Sequence, residues 1–98
     1  MQTVTAKEIQ RLLEDNQKLN LIDVREVDEV AAGKIPGALH IPLALLEFRM
    51  QELDKSKEYI MLCRSGGRSS RAAEFLAYHG FNVINMTGGM LDWEGPVE

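Results

Sequence analysis

Short apolar runs rich in β-forming residues alternate with segments of helical periodicity along this chain of 98 residues. The apolar runs are too short for helices and are typical of strands covered on both faces in a parallel sheet. Because no repeat, linker or low-complexity segment interrupts this order, residues 1–98 are expected to form one α/β domain with a largely parallel sheet. The predicted strands are 19–24, 38–41, 59–63 and 81–86, and the predicted helices are 5–16, 26–32, 42–53 and 71–79, followed by a short turn or helix at 88–93.

Local signals mark where several of these helices begin and which side chains they bring together. Thr5 followed by Glu8 is typical of a capping box at the start of the first helix. Arg25, just before the second helix, lies one turn from Glu29, which makes Glu29 one of its two candidate partners. Pro42 suits the first position of the third helix, whose apolar stripe indicates core packing.

The charge balance and the cysteine count exclude several classes of protein. With 11 basic and 15 acidic side chains, the formal net charge is −4. This argues against a nucleic-acid partner, because such binding is driven electrostatically through a broad basic face. Cys63 is the only cysteine, so no internal disulfide can form. With only two histidines beside it, the chain also lacks the ligand spacing of structural zinc, and no metal site is predicted.

No segment has the character of a membrane anchor or of a secretory signal. The longest stretch without a charged residue, 75–91, is interrupted by glycines, asparagines and a histidine, whereas a membrane span needs ~20 predominantly apolar residues. The amino-terminal residues have neither a basic leader nor an apolar run. We therefore expect no membrane partner and a cytoplasmic location.

The segment most informative about function is C-R-S-G-G-R-S at 63–69, which lies between a predicted buried strand and a helix. In open α/β sheets, ligands bind beyond the carboxyl ends of strands, which is where Cys63 lies. Gly66 and Gly67 permit backbone angles closed to other residues, so successive N–H groups can turn inward as an anion-binding nest. The positive end of the following helix adds to this nest. Such a nest would stabilise a sulfur anion.

Positive charge around the cysteine supports the same interpretation. Arg64, Arg68 and Arg71 fall in the interval 59–73, which has no acidic residue. An ordinary thiol with a pKa of ~8.5 is only ~3% ionised at pH 7, whereas a pKa of ~6.5 would make it mostly thiolate. Nest, helix end and arginines together are expected to achieve this, so Cys63 is predicted to be a nucleophile. The alternative is a buried structural cysteine that packs as a small hydrophobe, and the glycines and arginines favour the nucleophile.

The spacing between the cysteine and the loop arginine separates two kinds of anion chemistry. Cysteine phosphatases have the pattern C-x5-R, which surrounds a tetrahedral phosphoryl group, whereas Cys63 and Arg68 form the tighter pattern C-x4-R. The smaller loop suits one added sulfur atom on the cysteine better than a phosphate. A cysteine phosphatase or an enzyme like arsenate reductase is an alternative that this spacing disfavours.

Four motifs, taken together and in this order, resemble the rhodanese (sulfurtransferase) family. They are L-I-D-V-R-E at 21–26, G-K-I-P-G-A-L-H-I-P at 33–42, C-R-S-G-G-R-S at 63–69 and T-G-G-M-L-D-W at 87–93. The resemblance covers nearly the whole chain and implies a single rhodanese-like domain with a mostly parallel five-stranded sheet and helices on both faces. Two positions depart from the family pattern, since Lys34 replaces a usual histidine and Val30 a usual aromatic residue. Neither lies in the cysteine loop, so the departures concern the rim of the site and its partners.

The resemblance implies a sulfurtransferase that works through a covalent persulfide. Cys63 would accept a sulfane sulfur from a small anionic donor such as thiosulfate and pass it to cyanide or a thiol, including a protein thiol. Arg64 and Arg68 would offset the charge of the donor, and no metal or organic cofactor is implied. A non-catalytic regulatory or sulfur-carrier interaction domain is a further alternative, because related folds serve as interaction domains. The residues implied to bind the donor and the persulfide are Arg64, Ser65, Gly66, Gly67, Arg68 and Ser69.

Other conspicuous side chains are given structural interpretations. Asp23 and Arg25 end a strand at the edge of the sheet that holds the cysteine. For Arg25, a structural ion pair with Glu29 or Asp23 is favoured over contact with substrate. Trp93, the only tryptophan, is expected to close the core rather than cover the loop. His40 and His79 belong to no catalytic pattern in the sequence and are interpreted as structural or surface residues.

Overall fold

Five strands form one sheet in the computed structural model, which describes residues 1–98. The strands are β1 (Thr3–Thr5), β2 (Leu21–Asp23), β3 (Leu39–His40), β4 (Glu58–Leu62) and β5 (Asn82–Thr87). Their order across the sheet is β1-β5-β4-β2-β3, and every neighbouring pair is parallel. The α/β class predicted from the alternation of elements is confirmed.

Four α-helices and three single 3-10 turns connect the strands. The α-helices are α1 (Ala6–Glu14), α2 (Val27–Ala31), α3 (Leu46–Arg49) and α4 (Gly67–Tyr78), and the 3-10 turns are Leu43–Leu45, Met50–Glu52 and Gly89–Asp92. The predicted capping box starts α1, since the Glu8 N–H donates to Thr5 Oγ1 at 3.1 Å and the Thr5 N–H donates to Glu8 Oε1 at 3.0 Å. No helix is long and apolar enough to cross a membrane.

The sheet divides the core into two apolar layers, one on each face. On one face Leu46 of α3 and Leu76 of α4 pack in the same cluster as Met61 of β4. On the other face Ile9 of α1 packs with Leu62, the next residue of β4. Successive side chains of a strand alternate between faces, so β4 contributes to both layers. Helices therefore cover both faces of the sheet, as the family resemblance implied.

Two elements differ from the prediction made from periodicity. Thr3–Thr5 forms β1, which no apolar run indicated, because this edge strand is held by backbone pairing with β5 and has little apolar surface of its own. The helix predicted at 42–53 is broken into a 3-10 turn, the short helix α3 and a second 3-10 turn. The i, i+3 spacing of Leu43 and Leu46 suits a 3-10 turn as well as an α-helix, so the stripe did not distinguish them.

The parallel sheet brings the carboxyl ends of its strands to one edge. Asp23 ends β2 and lies in register with Leu62, which ends β4. Cys63 follows immediately, and Thr87 ends β5 on the other side of β4. The loops that leave these strands therefore meet around the cysteine, at the edge where open α/β sheets bind ligands.

Candidate active site

The loop that begins at Cys63 leaves β4 and turns directly into α4. Gly66 is the residue before α4 and has a φ of +108°, a left-handed backbone conformation that other residues rarely adopt. Gly67 is already the first residue of the helix, and a Cβ there would meet no atom within 4 Å. The expectation that both glycines supply special backbone angles is therefore right for Gly66 and wrong for Gly67.

The sulfur of Cys63 is surrounded by hydrogen-bonding groups of its own loop. Cys63 is only 1% exposed. Its Sγ accepts the N–H of Gly66 at 3.1 Å and the N–H of Ser69 at 3.3 Å. The Ser69 hydroxyl oxygen also lies 3.4 Å from Sγ. The backbone of the loop thus forms a nest of N–H groups that face the sulfur.

Opposing effects act on the pKa of the Cys63 thiol. Burial raises the pKa, because the thiolate loses its hydration, but the hydrogen bond with the Ser69 side chain and those from the N–H groups of Ser69, Gly66 and Ser65 lower it and prevail. The pKa of Cys63 therefore lies below the ordinary value of a thiol. No arginine side chain donates to the sulfur, so the nest and Ser69, rather than direct contact with a guanidinium, favour the thiolate.

A buried polar network lies behind the sulfur and was missed by the sequence analysis. The hydroxyl of Ser69, a fully buried residue, donates to Asn85 Oδ1 at 2.6 Å. Asn85 lies on β5, is 5% exposed, and donates through Nδ2 to the Gly66 carbonyl at 3.3 Å. The network therefore ties the cysteine loop to β5. The sequence does contain a signal for this network, an asparagine inside a predicted buried strand. A buried amide needs hydrogen-bond partners, so such an asparagine indicates a polar network in the core.

The 3-10 turn Gly89–Asp92 donates backbone hydrogen bonds to the start of the cysteine loop. The N–H of Met90 donates to the Cys63 carbonyl at 2.9 Å, and the next N–H donates to the Arg64 carbonyl at 3.0 Å. A Cβ on Gly89 would lie 2.5 Å from both of these carbonyl oxygens, and its φ is +57°. The T-G-G motif at 87–89 thus permits an approach of two backbones that a side chain would prevent, a role that the sequence analysis did not assign to it.

The guanidinium of Arg68 forms a two-pronged ion pair with Glu29 of α2. Nη1 lies 2.6 Å from Oε1, and Nη2 lies 2.8 Å from Oε2. Of the two partners predicted for Arg25, the Glu29 side chain is not the one, since the Arg25 guanidinium reaches only the backbone carbonyl of Glu29, at 3.4 Å. The physical reason is that a closer, buried carboxylate already holds Arg25.

That carboxylate belongs to Asp23, at the end of β2. It accepts hydrogen bonds from Arg25 Nε at 3.0 Å and from Nη2 at 2.8 Å, and Nη2 also donates to the Gly33 carbonyl at 2.8 Å. Both residues are buried. Arg25 therefore clamps the end of β2 to the end of α2, which is the structural role that the sequence analysis favoured for it.

The two remaining predicted site side chains, and one further arginine on α4, are exposed. Arg64 and Ser65 are exposed, and Arg71 is exposed on α4. None of these three side chains forms a hydrogen bond or an ion pair within the protein. Arg64 is thus the loop arginine without a carboxylate partner.

The other conspicuous side chains are engaged elsewhere. Trp93 packs against the apolar layer beside α1, and its Nε1 donates to a backbone carbonyl at 3.0 Å, so it closes the core. His40 Nε2 lies 2.7 Å from a backbone carbonyl oxygen, and the ring of His79 stacks against that of a neighbouring phenylalanine. Neither histidine contacts the cysteine loop.

Five grooves of the molecule lie away from the cysteine. One of about 420 Å³ is lined by residues of α1, Ile35 and Trp93, and no residue of 63–69 lines any of the five. No group of three or more His, Cys, Asp or Glu residues is placed to hold a metal ion. The groups that surround the cysteine sulfur are therefore those of its own loop.

A parallel α/β sheet with a C-x4-R loop that turns its N–H groups toward the cysteine sulfur defines a thiolate site of the rhodanese type. The sequence pattern of the rhodanese-like domain matches residues 5–96. The chain belongs to the rhodanese-like domain family.

Relatives with similar sequences and structures extend over nearly the whole chain. YtwF of Bacillus subtilis (strain 168), named as a candidate sulfurtransferase, is 42% identical over 95 residues, which cover 97% of this chain and 92% of YtwF. A sulfurtransferase of Allochromatium vinosum is 35% identical over 91 residues, 92% of this chain and 85% of that protein. The crystal structure of a rhodanese-like domain protein from Staphylococcus aureus superposes with a TM-score of 0.94 at 32% identity, covering 100% of this chain and 97% of that one. The family and the fold implied by the motifs are confirmed.

Proposed function

We propose that this protein is a sulfurtransferase that carries sulfur as a persulfide on Cys63. The observation that carries the proposal is the pair of backbone N–H groups, from Gly66 and Ser69, that face Sγ at 3.1 and 3.3 Å. The same nest can hold either the thiolate or the terminal sulfur of a persulfide, because both are anions that accept hydrogen bonds. The sulfurtransferase among its relatives supports this activity.

The proposed reaction has two displacement steps. In the first, the Cys63 thiolate attacks the sulfane sulfur of a donor such as thiosulfate, the sulfur–sulfur bond of the donor breaks, and sulfite leaves with the bonding electron pair. In the second, cyanide or a thiolate attacks the outer sulfur of the persulfide, and the bond to Sγ breaks to regenerate the thiolate. Atoms and electrons balance without an external oxidant or reductant, so covalent catalysis by the cysteine is sufficient.

The loop residues have different parts in this proposal. The N–H groups of Ser65, Gly66 and Ser69 stabilise negative charge on the sulfur during both steps. Arg64, exposed and unpaired, is the cation that an anionic donor meets at the rim of the site. Gly67, the first residue of α4, adds no side chain beside the nest.

We extend the proposal to the acceptor of the sulfur and to the location of the reaction. Cys63 is itself 1% exposed, so we propose that cyanide, a small thiol or a protein thiol takes the outer sulfur of the persulfide and does not reach Sγ. We place the reaction in the cytoplasm, since a free cysteine that must stay reduced between cycles suits a reducing compartment.

Mass spectrometry of the intact protein tests the proposal. After incubation with thiosulfate, or with a small thiol persulfide, the wild type should gain the mass of one sulfur atom and lose it on addition of cyanide. Cys63→Ala should gain none, and Ser70→Ala, which changes a hydroxyl outside the nest, should load like the wild type. A wild type that takes up no sulfur from either donor would overturn the proposal.

The same preparations separate the two other functions that the sequence left open. A cysteine phosphatase would hydrolyse an aryl phosphate in a reaction that Cys63→Ala abolishes, and the C-x4-R spacing predicts no such activity. A non-catalytic interaction domain would show neither hydrolysis nor sulfur uptake. The aryl phosphate assay and a thiosulfate and cyanide assay, each with the Cys63→Ala control, therefore distinguish all three together.

A further inference from the structure

The ion pair between Arg68 and Glu29 joins the last residue of the C-x4-R motif to α2. Both terminal nitrogens of the guanidinium are engaged, at 2.6 and 2.8 Å. Glu29 is itself held in place, because its Oε1 accepts the N–H of Glu26 at 2.9 Å. The hydrogen bonds from Arg68 and Glu26 lower the pKa of Glu29 to about 2, so its carboxylate is ionised throughout the neutral range.

This pairing changes the charge that a donor meets beside the cysteine. The interval 59–73 contains three arginines and no acidic residue, but in the folded chain Glu29 neutralises Arg68. Arg71 is exposed on α4, beyond the loop, which leaves Arg64 as the unpaired cation of the loop. A dianion such as thiosulfate is held best by several cations with free N–H groups. A persulfide of a small thiol has at most one charge at its reacting end, so it depends mainly on the backbone nest.

We propose that Glu29 is a specificity-determining residue that favours thiol persulfides over thiosulfate as sulfur donors. By occupying both terminal nitrogens of Arg68, Glu29 removes a cation that a dianionic donor needs and leaves the nest around Cys63 intact. This inference rests on the proposed function and names the donor class for the same site. Glu29 contacts Arg68 and not the donor, so it acts by positioning and neutralising that arginine.

The transfer from such a donor balances in atoms and electrons. The Cys63 thiolate attacks the outer sulfur of R–S–SH, a new sulfur–sulfur bond forms at Sγ, and the sulfur–sulfur bond of the donor breaks. The thiolate R–S⁻ leaves with the bonding electron pair, and the proton stays on the transferred sulfur. The products are the protonated Cys63 persulfide and the thiolate of the small thiol.

Steady-state kinetics of two matched variants test the role of Glu29. Glu29→Gln keeps a side chain of similar size that can still hydrogen-bond to Arg68 but lacks the charge. Asp28→Asn removes the same charge from the neighbouring, exposed position of α2, which has no contact with Arg68. For Glu29→Gln we expect the kcat/KM ratio of thiosulfate to cysteine persulfide to rise about fivefold to tenfold, mainly through the KM for thiosulfate. Asp28→Asn should leave this ratio within about twofold of the wild type, because solvent screens the exposed charge.

Alkylation of Cys63 provides a second measurement that requires no sulfur transfer. Glu29→Gln should raise the rate with anionic iodoacetate relative to neutral iodoacetamide, and Asp28→Asn should not. Equal changes for both donors, an unchanged alkylation ratio, or the same effect in Asp28→Asn would overturn the inference. A wild type that takes sulfur from no donor would overturn the proposed function instead, and the alkylation ratio would still decide whether Glu29 controls the charge at the loop.

Discussion

Ser69 has the hydroxyl group closest to the Cys63 sulfur, and its single proton has competing acceptors. Its Oγ lies 2.6 Å from Asn85 Oδ1, 3.2 Å from the Gly66 carbonyl oxygen and 3.4 Å from Sγ. Burial raises the pKa of Cys63, and the Ser69 hydroxyl makes the largest of the contributions that lower it. The protonation state of the sulfur is therefore coupled to the orientation of this hydroxyl.

Ser69→Ala is expected to raise the pKa of Cys63 and to slow its alkylation at neutral pH about threefold to tenfold, because a smaller fraction of the thiol is ionised. The rate of modification by iodoacetamide, measured as a function of pH, should show a midpoint at higher pH than in the wild type. Ser70→Ala is the matched control, since the Ser70 side chain does not hydrogen-bond to the sulfur. An unchanged midpoint in Ser69→Ala would mean that the backbone N–H groups alone determine the pKa of the thiol.

The residues that could be predicted from sequence are those that lie together in the chain. Cys63 and its loop are contiguous, so glycines, arginines and spacing could be interpreted as one site. Glu29 contacts Arg68 across 39 positions, and Asn85 contacts Ser69 across 16. Such contacts depend on how α2 and β5 pack against the loop, which local spacing does not specify. For the same reason the sequence offered Glu29 only the arginine one turn away as a partner.

Elements with their own apolar surface were predicted, and elements held by their neighbours were not. β4 is a continuous apolar run and α4 ends before a glycine with a φ of +89°, so each has a local signature. β1 exists only because its backbone pairs with β5. The segment 42–53 follows the surface of the sheet in short turns, and its apolar spacing does not reveal where the backbone hydrogen bonds change from one helix type to another.

The buried pair of Asp23 and Arg25 joins two of these elements, and its loss should weaken the fold. Arg25→Met leaves the Asp23 carboxylate buried without its cation and also removes the hydrogen bond to the Gly33 carbonyl. We expect the free energy of unfolding to fall by about 3 kcal/mol, as measured by urea denaturation. Arg71→Met, at an exposed position, should change it by less than about 0.5 kcal/mol. Equal losses in the two variants would show that the clamp does not stabilise the fold.

The net charge of the whole molecule does not describe the charge at its site. The chain carries a formal charge of −4, yet the cysteine lies in a nest of N–H groups with Arg64 unpaired at its rim. In the folded chain several carboxylates, spread over the whole sequence, accept hydrogen bonds or form ion pairs, and these interactions lower their pKa values. The carboxyl groups whose pKa folding lowers are Glu8, Glu29, Glu52, Asp54 and Glu98.

These carboxylates should make the stability of the molecule fall in acid, and Glu29 allows one contribution to be isolated. Its pKa is lowered from 4.5 to about 2 by the hydrogen bonds from Arg68 and Glu26. As the pH falls from about 4.5 toward about 2, the unfolded chain therefore binds this proton before the folded protein does, and protonation favours unfolding. The contribution is complete above the unfolded-state pKa and is lost below the folded-state value. Because the pair is partly exposed and screened, it should amount to about 1 kcal/mol.

Urea denaturation of the wild type and Glu29→Gln at a series of pH values measures this contribution. The wild type should be the more stable protein near neutrality, and the two free energies of unfolding should converge in acid, since the protonated glutamate and the glutamine are both uncharged. Glu52→Gln, which breaks an exposed pair with Arg49, is the matched control and should differ less from the wild type at neutral pH. Parallel curves for the wild type and Glu29→Gln would show that the Arg68–Glu29 pair does not form in solution, and the donor preference inferred from that pair would fail with it.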